Sequence, residues 1–281
     1  MPAELPLKNQ VALITGGNVG IGRVTAMELA RSGVQVVIAG RSRERTQPVL
    51  DAMAALPGAP APLFLPLDLA SLHSVRACAA QFLALSLPLH LLINNAGLAG
   101  ARGLTEDGFE MAFGVNHLGH FLLTQLLLPT LQQAPAARVV TVSSRAHKRT
   151  PGIDWDALRR PTQTRTGIRE YAVSKLANLL FSAELGRRLA GTKVSTYSLH
   201  PGVVDTEIWR VVPQWVRPLL RLRGLITPEE GAQTTLHCAL RAPASESGLY
   251  YADCRPTRPA RNGRDMALAQ ELWQRSEAWT R

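Results

Sequence analysis

The sequence has few cysteines and no long apolar run. Its three cysteines, Cys78, Cys238 and Cys254, are odd in number and widely spaced, which excludes a disulfide framework and a cysteine metal motif. The fold therefore does not depend on oxidation. The apolar stretches at 83–93 and 121–131 are interrupted by polar residues and are too short to span a bilayer, and residues 1–10 are not a signal peptide. We expect an intracellular protein with no transmembrane span in this chain.

Acidic residues are in the minority, since 31 Lys and Arg stand against 21 Asp and Glu, for a net charge of +10. The whole excess lies in 138–281, because residues 1–137 carry eight of each sign, and only four of the basic residues are lysines. Such a surface suits an anionic cofactor, a membrane surface or nucleic acid, or it is a solvated surface from an arginine-biased genome. No basic strip interleaved with aromatics occurs, so we expect no nucleic-acid partner.

Short apolar runs alternate with helical patterns along the 281 residues. The helical patterns include a long one over about 106–133 and another over 170–189. Continuous apolar strands between helices predict a doubly wound (Rossmann), mostly parallel sheet covered on both faces, in one domain over 1–281. Ligands of such sheets bind beyond the carboxyl ends of the strands. The predicted strands are 11–14, 34–39, 64–67, 90–93, 138–142, 194–199 and 249–252.

A glycine-rich loop follows the first strand and opens the first helix. Gly16 suits a tight turn, Gly20 lets the backbone approach a pyrophosphate, and Gly22 lets the helix pack closely. The helix N-terminus then faces the phosphates. The glycine spacing alone is a weak signal, but its place between strand and helix predicts a dinucleotide site. The loop residues expected to contact the cofactor are Gly16, Gly17, Asn18, Val19, Gly20, Ile21 and Gly22.

The end of the second strand carries an arginine where an acid would bind a ribose 2′-hydroxyl. Arg41 follows Gly40, and no carboxylate comes before Glu44. An arginine can bind a 2′-phosphate through two hydrogen bonds and stack on adenine, and Arg23 and Arg43 add positive potential. The pattern favours NADP(H) over NAD(H), the alternative being that Arg41 is only a surface charge.

Tyr171 and Lys175 lie one turn apart on the same face of a predicted helix. A tyrosine with its ordinary pKa of about 10 is a poor proton donor or acceptor at neutral pH, and an adjacent ammonium lowers that pKa. This spacing is common by chance, so further signals are needed. Polar or glycine-containing motifs follow four other strands or lie in the long helix. They are Asp68 and Leu69, Asn94 to Gly97, Asn116, Ser143 and Ser144, and His200 to Thr206.

In this order, the motifs resemble those of the short-chain dehydrogenase/reductase superfamily across residues 8–252. The resemblance implies that Tyr171 is the general acid and base and that Ser144 hydrogen-bonds the substrate oxygen. It implies that Lys175 lowers the tyrosine pKa and holds the nicotinamide ribose, while Asn116 fixes a water that links Lys175 to solvent. Ser144 is chosen over Ser143 because the family places its serine there, and neighbours in a strand face opposite ways.

The same resemblance assigns further contacts with the cofactor. Asp68 and Leu69 would contact adenine, and Asn95, Ala96 and Gly97 the adenosine side. The nicotinamide would be lined by Pro201, Gly202, Val204 and Thr206. The histidines have no metal-ligand spacing, so no metal is expected, and none of them is expected to be catalytic. The four that could be taken for candidate bases or ligands are His117, His120, His147 and His200.

Four local segments resemble the retinol dehydrogenase branch of that superfamily: 115–123 (VNHLGHFLL), 174–181 (SKLANLLF), 200–204 (HPGVV) and 231–240 (GAQTTLHCAL). The branch implies NADP(H)-dependent hydride transfer to or from retinal, retinol or another lipid carbonyl or alcohol. A steroid or xenobiotic carbonyl reductase is one alternative. A non-catalytic NADP(H) sensor or scaffold is another, although its expected loss of Tyr171 or Lys175 is not seen. A homodimer is also left open.

Segment 209–226 follows the sixth strand and combines two tryptophans with many Val, Leu and Arg residues. It predicts a substrate lid with an apolar inner face, a contact with a bilayer interface, or both. Pro213 and Pro218 argue against one straight helix. Residues 1–10 lack the apolar anchor common in the branch, so we expect a shortened chain, a soluble relative or another mode of attachment. The location would be cytoplasmic, or peripheral on the cytoplasmic face of the endoplasmic reticulum.

Overall fold

The computed structural model describes residues 9–202 and 226–281, and its centre is an eight-stranded sheet. The strand order is β3-β2-β1-β4-β5-β6-β7-β8, parallel throughout except for the antiparallel pair β7–β8. This confirms the predicted doubly wound fold, with one strand more than expected. The strands are β1 Val11–Thr15, β2 Gln35–Gly40, β3 Leu63–Pro66, β4 Leu91–Asn94, β5 Ala137–Val142, β6 Val194–His200, β7 Tyr250–Ala252 and β8 Arg255–Pro256.

Helices cover both faces of the sheet because successive strand residues point to opposite sides. In β1, Ala12 and Ile14 join one apolar cluster with α1, α2 and α7, whereas Val11 and Leu13 join another with α3, α5 and α6. None of the described helices is both long and apolar enough to cross a membrane. The helices are α1 Gly20–Arg31, α2 Arg43–Ala54, α3 Leu72–Ala84, α4 Met111–Phe113, α5 Gly119–Gln133, α6 Ile168–Arg188, α7 Pro228–Leu240 and α8 Met266–Trp279.

The chain reverses its direction of winding between β3 and β4. Strand β1 pairs with β2 on one side and with β4 on the other, so the carboxyl ends of β1 and β4 lie next to each other. A crevice opens at such a switch point because the connecting chains leave toward opposite faces. The glycine loop after β1 and the polar residues after β4 therefore meet at this edge.

The helix predicted over 106–133 is wrong in its first part. Leu104 and Glu110 form a β-bridge, and the helix begins only at Met111, where the Glu110 carboxylate caps the amide of Phe113 at 2.9 Å. The helix then widens into a π turn over Gly114–Leu118 before α5. Gly114 faces Thr105 so closely that a Cβ there would clash with the threonine methyl. The π turn holds Asn116, and such turns are frequent at functional sites.

Helix α8 packs against α5 and α6 and completes the core on that face. The Trp273 ring lies 5.1 Å from that of Phe121 and 5.9 Å from that of Phe181, centroid to centroid. Ser276 Oγ is hydrogen-bonded to Nε2 of His117 in the π turn, at 3.0 Å. The C-terminal helix thereby touches the segment that holds Asn116.

Candidate active site

Three residues predicted to be catalytic lie together at the carboxyl end of β5. Tyr171 and Lys175 lie one turn apart on α6, and Lys175 Nζ is 5.6 Å from the centre of the Tyr171 ring. The side chain of Ser144, the second residue after β5, faces the Tyr171 phenol and acts to lower its pKa. The structure therefore brings a phenol, a hydroxyl and an ammonium into one cluster.

The two adjacent serines after β5 point to different partners. Ser143 is buried, and its Oγ donates to the main-chain carbonyl of Lys175 at 2.6 Å. Ser144 accepts from the amide of Ala146 at 3.1 Å and meets the Tyr171 phenol. Ser143 thus anchors the helix that carries the tyrosine, whereas Ser144 is the serine that faces it.

Burial acts on the pKa of both groups of the Tyr171–Lys175 pair. Lys175 is 2% exposed, and burial lowers its pKa to about 8. Burial raises the pKa of Tyr171, and only the Ser144 side chain acts in the other direction. The sequence pattern predicts that Lys175 lowers this pKa, which the structure does not bear out. Lys175 Nζ instead donates to the carbonyl of Val142 at 2.9 Å.

Asn116 connects the π turn to the loop after β4. Its Nδ2 donates to the carbonyl of Leu98 at 3.0 Å and to Ser174 Oγ at 2.9 Å, and its Oδ1 accepts from the Leu98 amide at 2.9 Å. A Cβ on Gly97 would lie 3.2 Å from Lys175 Nζ and 3.3 Å from Asn116 Oδ1. Gly97 therefore leaves room for the lysine and the asparagine on its two sides.

The glycine loop is shaped for a close approach to another molecule. Gly16 and Gly20 have φ values of +66° and +53°, a region that favours glycine. A Cβ on Gly22 would clash with the carbonyl of Gly16 and with the side chain of Asn95. No side chain caps the N-terminus of α1, so its first amides are free of a side-chain acceptor. Free amides at a helix N-terminus form an anion site.

Thr15 joins the glycine loop to the loop after β4. Its Oγ1 accepts from the amides of Asn95 and Ala96, both at 3.0 Å, and Asn95 Nδ2 donates to the Thr15 carbonyl at 2.9 Å. The preceding Asn94 is directed elsewhere, since its Nδ2 donates to Thr124 on α5 at 3.0 Å. Asn95 to Gly97 thus lie against the glycine loop, at the edge where the sequence places them.

The residues predicted near adenine lie after β2 and β3. Arg41 is exposed directly after β2, and Arg23 is exposed on the first turn of α1. Asp68 is half-buried, and its Oδ1 accepts from the amide of Ala70 at 2.9 Å. Leu69 is buried against Gly119, where a Cβ would come within 2.8 Å of the Leu69 carbonyl.

The residues predicted to line the nicotinamide are described only in part. Pro201 and Gly202 follow β6. Gly202 has a φ of +96°, and a Cβ on it would clash with the side chain of Ile226. Val204 and Thr206 lie outside the described residues, as does segment 209–226 apart from Ile226. At the end of β6, His200 Nε2 accepts from Nε of Arg145 at 2.7 Å, and burial lowers the His200 pKa to about 3.

His120 contacts residues of both parts of the site, although the sequence gives it no role. Its Nε2 is 2.8 Å from Thr15 Oγ1, and its Nδ1 is 2.9 Å from the carbonyl of Asn116. The one available signal was the spacing of four between Asn116 and His120, which puts the two on one helix face. The other candidate histidines have structural partners: His117 binds Ser276, and His147 binds the amide of Ala260.

Comparisons with known proteins indicate the family of this chain. The sequence profile of the short chain dehydrogenase family matches residues 10–156. Dehydrogenase/reductase SDR family member 13 from Bos taurus is 45% identical, over 96% of this chain and 73% of its own length. Retinol dehydrogenase 11 from Mus musculus is 42% identical, over 96% and 86% of the two chains. Polyprenol dehydrogenase from the same organism is 44% identical, over 97% and 84%.

Solved structures with a similar fold cover nearly the whole chain. The crystal structure of an uncharacterised protein from Mycobacterium paratuberculosis superposes with a TM-score of 0.78 and 34% identity, over 99% of this chain and 95% of the other. The Pseudomonas aeruginosa RhlG/NADP active-site complex superposes with a TM-score of 0.69 and 25% identity, over 92% and 96%.

The fold, the Ser144–Tyr171–Lys175 cluster and these comparisons define an oxidoreductase of the short-chain dehydrogenase/reductase family, to which this chain belongs. The family binds a nicotinamide cofactor. Within it, the chain falls in the retinol dehydrogenase-like branch, since its relatives include retinol dehydrogenases 11, 12 and 14 at 41–42% identity.

Proposed function

We propose that this chain transfers hydride between NADP(H) and the carbonyl or alcohol carbon of a hydrophobic isoprenoid substrate such as retinal or retinol. The observation that carries the proposal is the cluster of Tyr171, Ser144 and Lys175 at the sheet edge next to the glycine loop. Catalysis by proton transfer needs a donor in hydrogen-bonding reach of the substrate oxygen, and the phenol and the serine hydroxyl provide a pair of such donors.

In the direction of carbonyl reduction, the bound nicotinamide supplies the hydride. Ser144 donates a hydrogen bond to the substrate oxygen, and Tyr171 transfers its phenolic proton to that oxygen. Lys175, whose pKa burial lowers to about 8, holds a proton at neutral pH that is only weakly retained, and it returns that proton to Tyr171. Asn116 fixes a water that restores the proton on Lys175. Alcohol oxidation uses the same groups in reverse.

Several features of the chain fit a phosphorylated dinucleotide. The uncapped N-terminus of α1 and the glycine loop, with Gly16 to Gly22, suit a pyrophosphate. Arg41, in a stretch without a carboxylate before Glu44, suits a 2′-phosphate. The adenine side would be held by Asp68 and Leu69, and the rest of the adenosine by Asn95 to Gly97. Lys175 would hold the nicotinamide ribose, and Pro201, Gly202, Val204 and Thr206 the nicotinamide ring.

An apolar substrate fits the surroundings of Tyr171. Ile168 lies one turn before Tyr171 on α6 and is 40% exposed, unusually open for an isoleucine. Gly167 packs against Gly100, so the loop after β4, with Leu104 at 38% exposure, lies beside the start of α6. Relatives named for retinol and for polyprenol share the isoprenoid chain with one terminal oxygen. Such a substrate presents one polar group to the cluster and hydrocarbon to the rest.

A panel of carbonyl compounds tests the proposal. NADPH consumption would be followed with retinal, a linear isoprenoid aldehyde, a ketosteroid and a short aliphatic aldehyde, and the reverse reaction with the alcohols and NADP⁺. We expect the two isoprenoid aldehydes to have the highest kcat/KM. Preference for the steroid would reassign the substrate class, and binding of NADPH without turnover of any carbonyl would replace the enzyme with a cofactor sensor.

A further inference from the structure

His120 uses both ring nitrogens inside the protein. It lies in the first turn of α5, 1% exposed, with Nδ1 at 2.9 Å from the main-chain carbonyl of Asn116 and Nε2 at 2.8 Å from Thr15 Oγ1. Asn116 belongs to the π turn, whereas Thr15 ends β1 immediately before the glycine loop. One imidazole therefore spans the two halves of the site.

The partners of His120 determine where its proton lies. A carbonyl can only accept, so Nδ1 carries the hydrogen and donates it to Asn116. Burial, helped by the nearby charge of Lys175 and opposed by the hydrogen bond to Asn116, lowers the His120 pKa to about 4, so the ring is neutral. The other titratable group beside it, His117, is itself neutral because burial lowers its pKa to about 3.

Neutral Nε2 is then an acceptor, and it takes the hydrogen of the Thr15 hydroxyl. The other acceptor near this hydroxyl, the carbonyl of Ile93, is farther away at 3.5 Å. With its hydrogen directed to His120, Thr15 Oγ1 points its lone pairs at the amides of Asn95 and Ala96. The imidazole thereby orients the hydroxyl that holds the loop after β4.

We propose that His120 is a positioning residue that couples the dinucleotide-binding loops to Asn116, holding the Thr15 hydroxyl with Nε2 and the Asn116 carbonyl with Nδ1. The inference rests on the proposed function, since it concerns the same site. Without the imidazole, the Thr15 hydroxyl and the Asn116 carbonyl, both buried, each lose a hydrogen-bond partner. The glycine loop and the π turn are then no longer held by the same side chain.

His117 provides a matched comparison within three residues. It is as buried as His120, but its Nε2 binds Ser276 of α8 and its Nδ1 has no hydrogen-bond partner among the described residues. Its ring packs among aromatic rings, at 5.0 Å from Phe113 and 6.0 Å from Phe121. Removal of the His117 imidazole thus perturbs the core without touching Thr15.

Three substitutions at His120 separate its two hydrogen bonds. His120→Phe keeps the ring and removes both bonds. His120→Asn offers an amide N–H near the Nδ1 position, so it retains the bond to Asn116 and does not reach Thr15. His120→Gln reaches Thr15 with its side-chain oxygen and gives up the bond to Asn116. Each variant is tested for NADPH binding by equilibrium fluorescence titration, which needs no turnover, and for the pH profile of kcat.

We expect the NADPH dissociation constant to rise about tenfold in His120→Phe and in His120→Asn, since the Thr15 bond is lost in both. In His120→Gln it should stay within about twofold, while kcat falls and its pH profile moves, because the Asn116 carbonyl loses its partner and the proposed proton path from Lys175 to solvent is disturbed. His117→Phe should lower the melting temperature and leave the dissociation constant unchanged.

Should a His120 variant fail to fold, Thr15 supplies the same test from the other side of the bond. Thr15→Val should weaken NADPH binding as His120→Phe does, and Thr15→Ser should restore it. Unchanged NADPH binding and pH profile in all folded His120 and Thr15 variants would overturn the coupling. So would an equal effect of His117→Phe, which would make the role of His120 purely one of packing. If the wild-type chain bound no dinucleotide, the proposed function itself would be at fault.

Discussion

Lys175 Nζ and the side-chain amide of Asn178 donate to the same oxygen, the main-chain carbonyl of Val142, at 2.9 Å and 3.1 Å. The carbonyl would therefore keep a partner without the lysine. The lysine, in contrast, has been moved from water into the protein as a charged group, which is unfavourable for its ammonium form. This arrangement opposes stability, and it places a weakly held proton beside Tyr171.

Lys175→Met should stabilise the chain and abolish turnover. Burial lowers the Lys175 pKa from 10.5 to about 8, which corresponds to roughly 3 kcal/mol of lost stability when the group is charged. Below pH 8 the lysine is charged in both the folded and the unfolded chain, so this whole penalty is present at pH 7. Between pH 8 and 10.5 only the unfolded chain binds the proton, so the wild type gains stability as pH rises. The advantage of Lys175→Met should shrink over that window.

Urea unfolding at pH 7 and pH 10 measures this effect, with Lys193→Met as the control because Lys193 is exposed. The control should differ from wild type by no more than about 0.5 kcal/mol at either pH, as surface substitutions do. A Lys175→Met chain less stable than wild type at pH 7 would contradict the assigned cost of burying this ammonium.

Tyr171→Phe should lower kcat by at least about 10²–10⁴-fold, since this is the usual contribution of general acid–base catalysis. The phenyl ring keeps the packing and loses the proton that Ser144 contacts, so NADPH should bind as before. Tyr197→Phe is the matched control, because the buried Tyr197 donates to the carbonyls of Ala242 and Pro243, away from the cluster. Steady-state assays measure kcat, and a titration with NADPH measures cofactor binding. Substantial turnover by folded Tyr171→Phe would refute the mechanism.

Arg41→Asp should weaken NADPH binding far more than NADH binding. The change removes a cation that can pair with the 2′-phosphate and adds a carboxylate that repels it. Arg241→Asp changes the net charge equally at an exposed site after α7, so it separates local pairing from the overall field. Binding titrations with both dinucleotides measure the ratio of the NADH and NADPH dissociation constants. Equal use of NADH and NADPH by the wild type would show that Arg41 does not select the phosphate.

The prediction that segment 209–226 is a substrate lid, a bilayer contact or both rests on the sequence alone. Replacing Trp215 and Leu219 with Ser should raise KM for retinal more than for a short aldehyde, because apolar contact with the long substrate is lost. It should also reduce sedimentation with anionic liposomes, and salt should weaken the remaining binding. Unchanged liposome binding would leave the segment as a lid only. An unchanged KM ratio as well would exclude both roles.

The sequence predicts the fold best where one strand is buried on both faces. The runs around Ile14 and Val37 are apolar without interruption, and each lies within a strand. Strand β8 escaped prediction because its two residues, Arg255 and Pro256, are exposed and carry no apolar pattern. The helix start at 106 was wrong because residues 105–108 form a turn. Arg159 donates to the carbonyl of Asp107 and Thr162 to the carboxylate of Glu110, and both partners are about 50 positions away.

The site can be predicted where its residues are close in the sequence. It cannot be predicted where the contacts join residues that are far apart in the sequence. Tyr171 and Lys175 share a helix turn, so their spacing could be read directly. The bond between Thr15 and His120 spans 105 positions, and no local pattern marks it. The preference of Lys175 Nζ for Val142 over the phenol was equally hidden, because it depends on how closely α6 packs on β5.

The contact between His117 and Ser276, 159 positions apart, has a consequence for the order of synthesis. Domains begin to fold from the N-terminus as the chain emerges, and contacts of large separation form late. Until α8 has left the ribosome, Phe121 and Phe181 lack the Trp273 ring that covers them, and the π turn lacks its hydrogen bond to Ser276. A nascent chain stalled before residue 266 would therefore display an apolar face for chaperones to bind while its catalytic end is still unfinished.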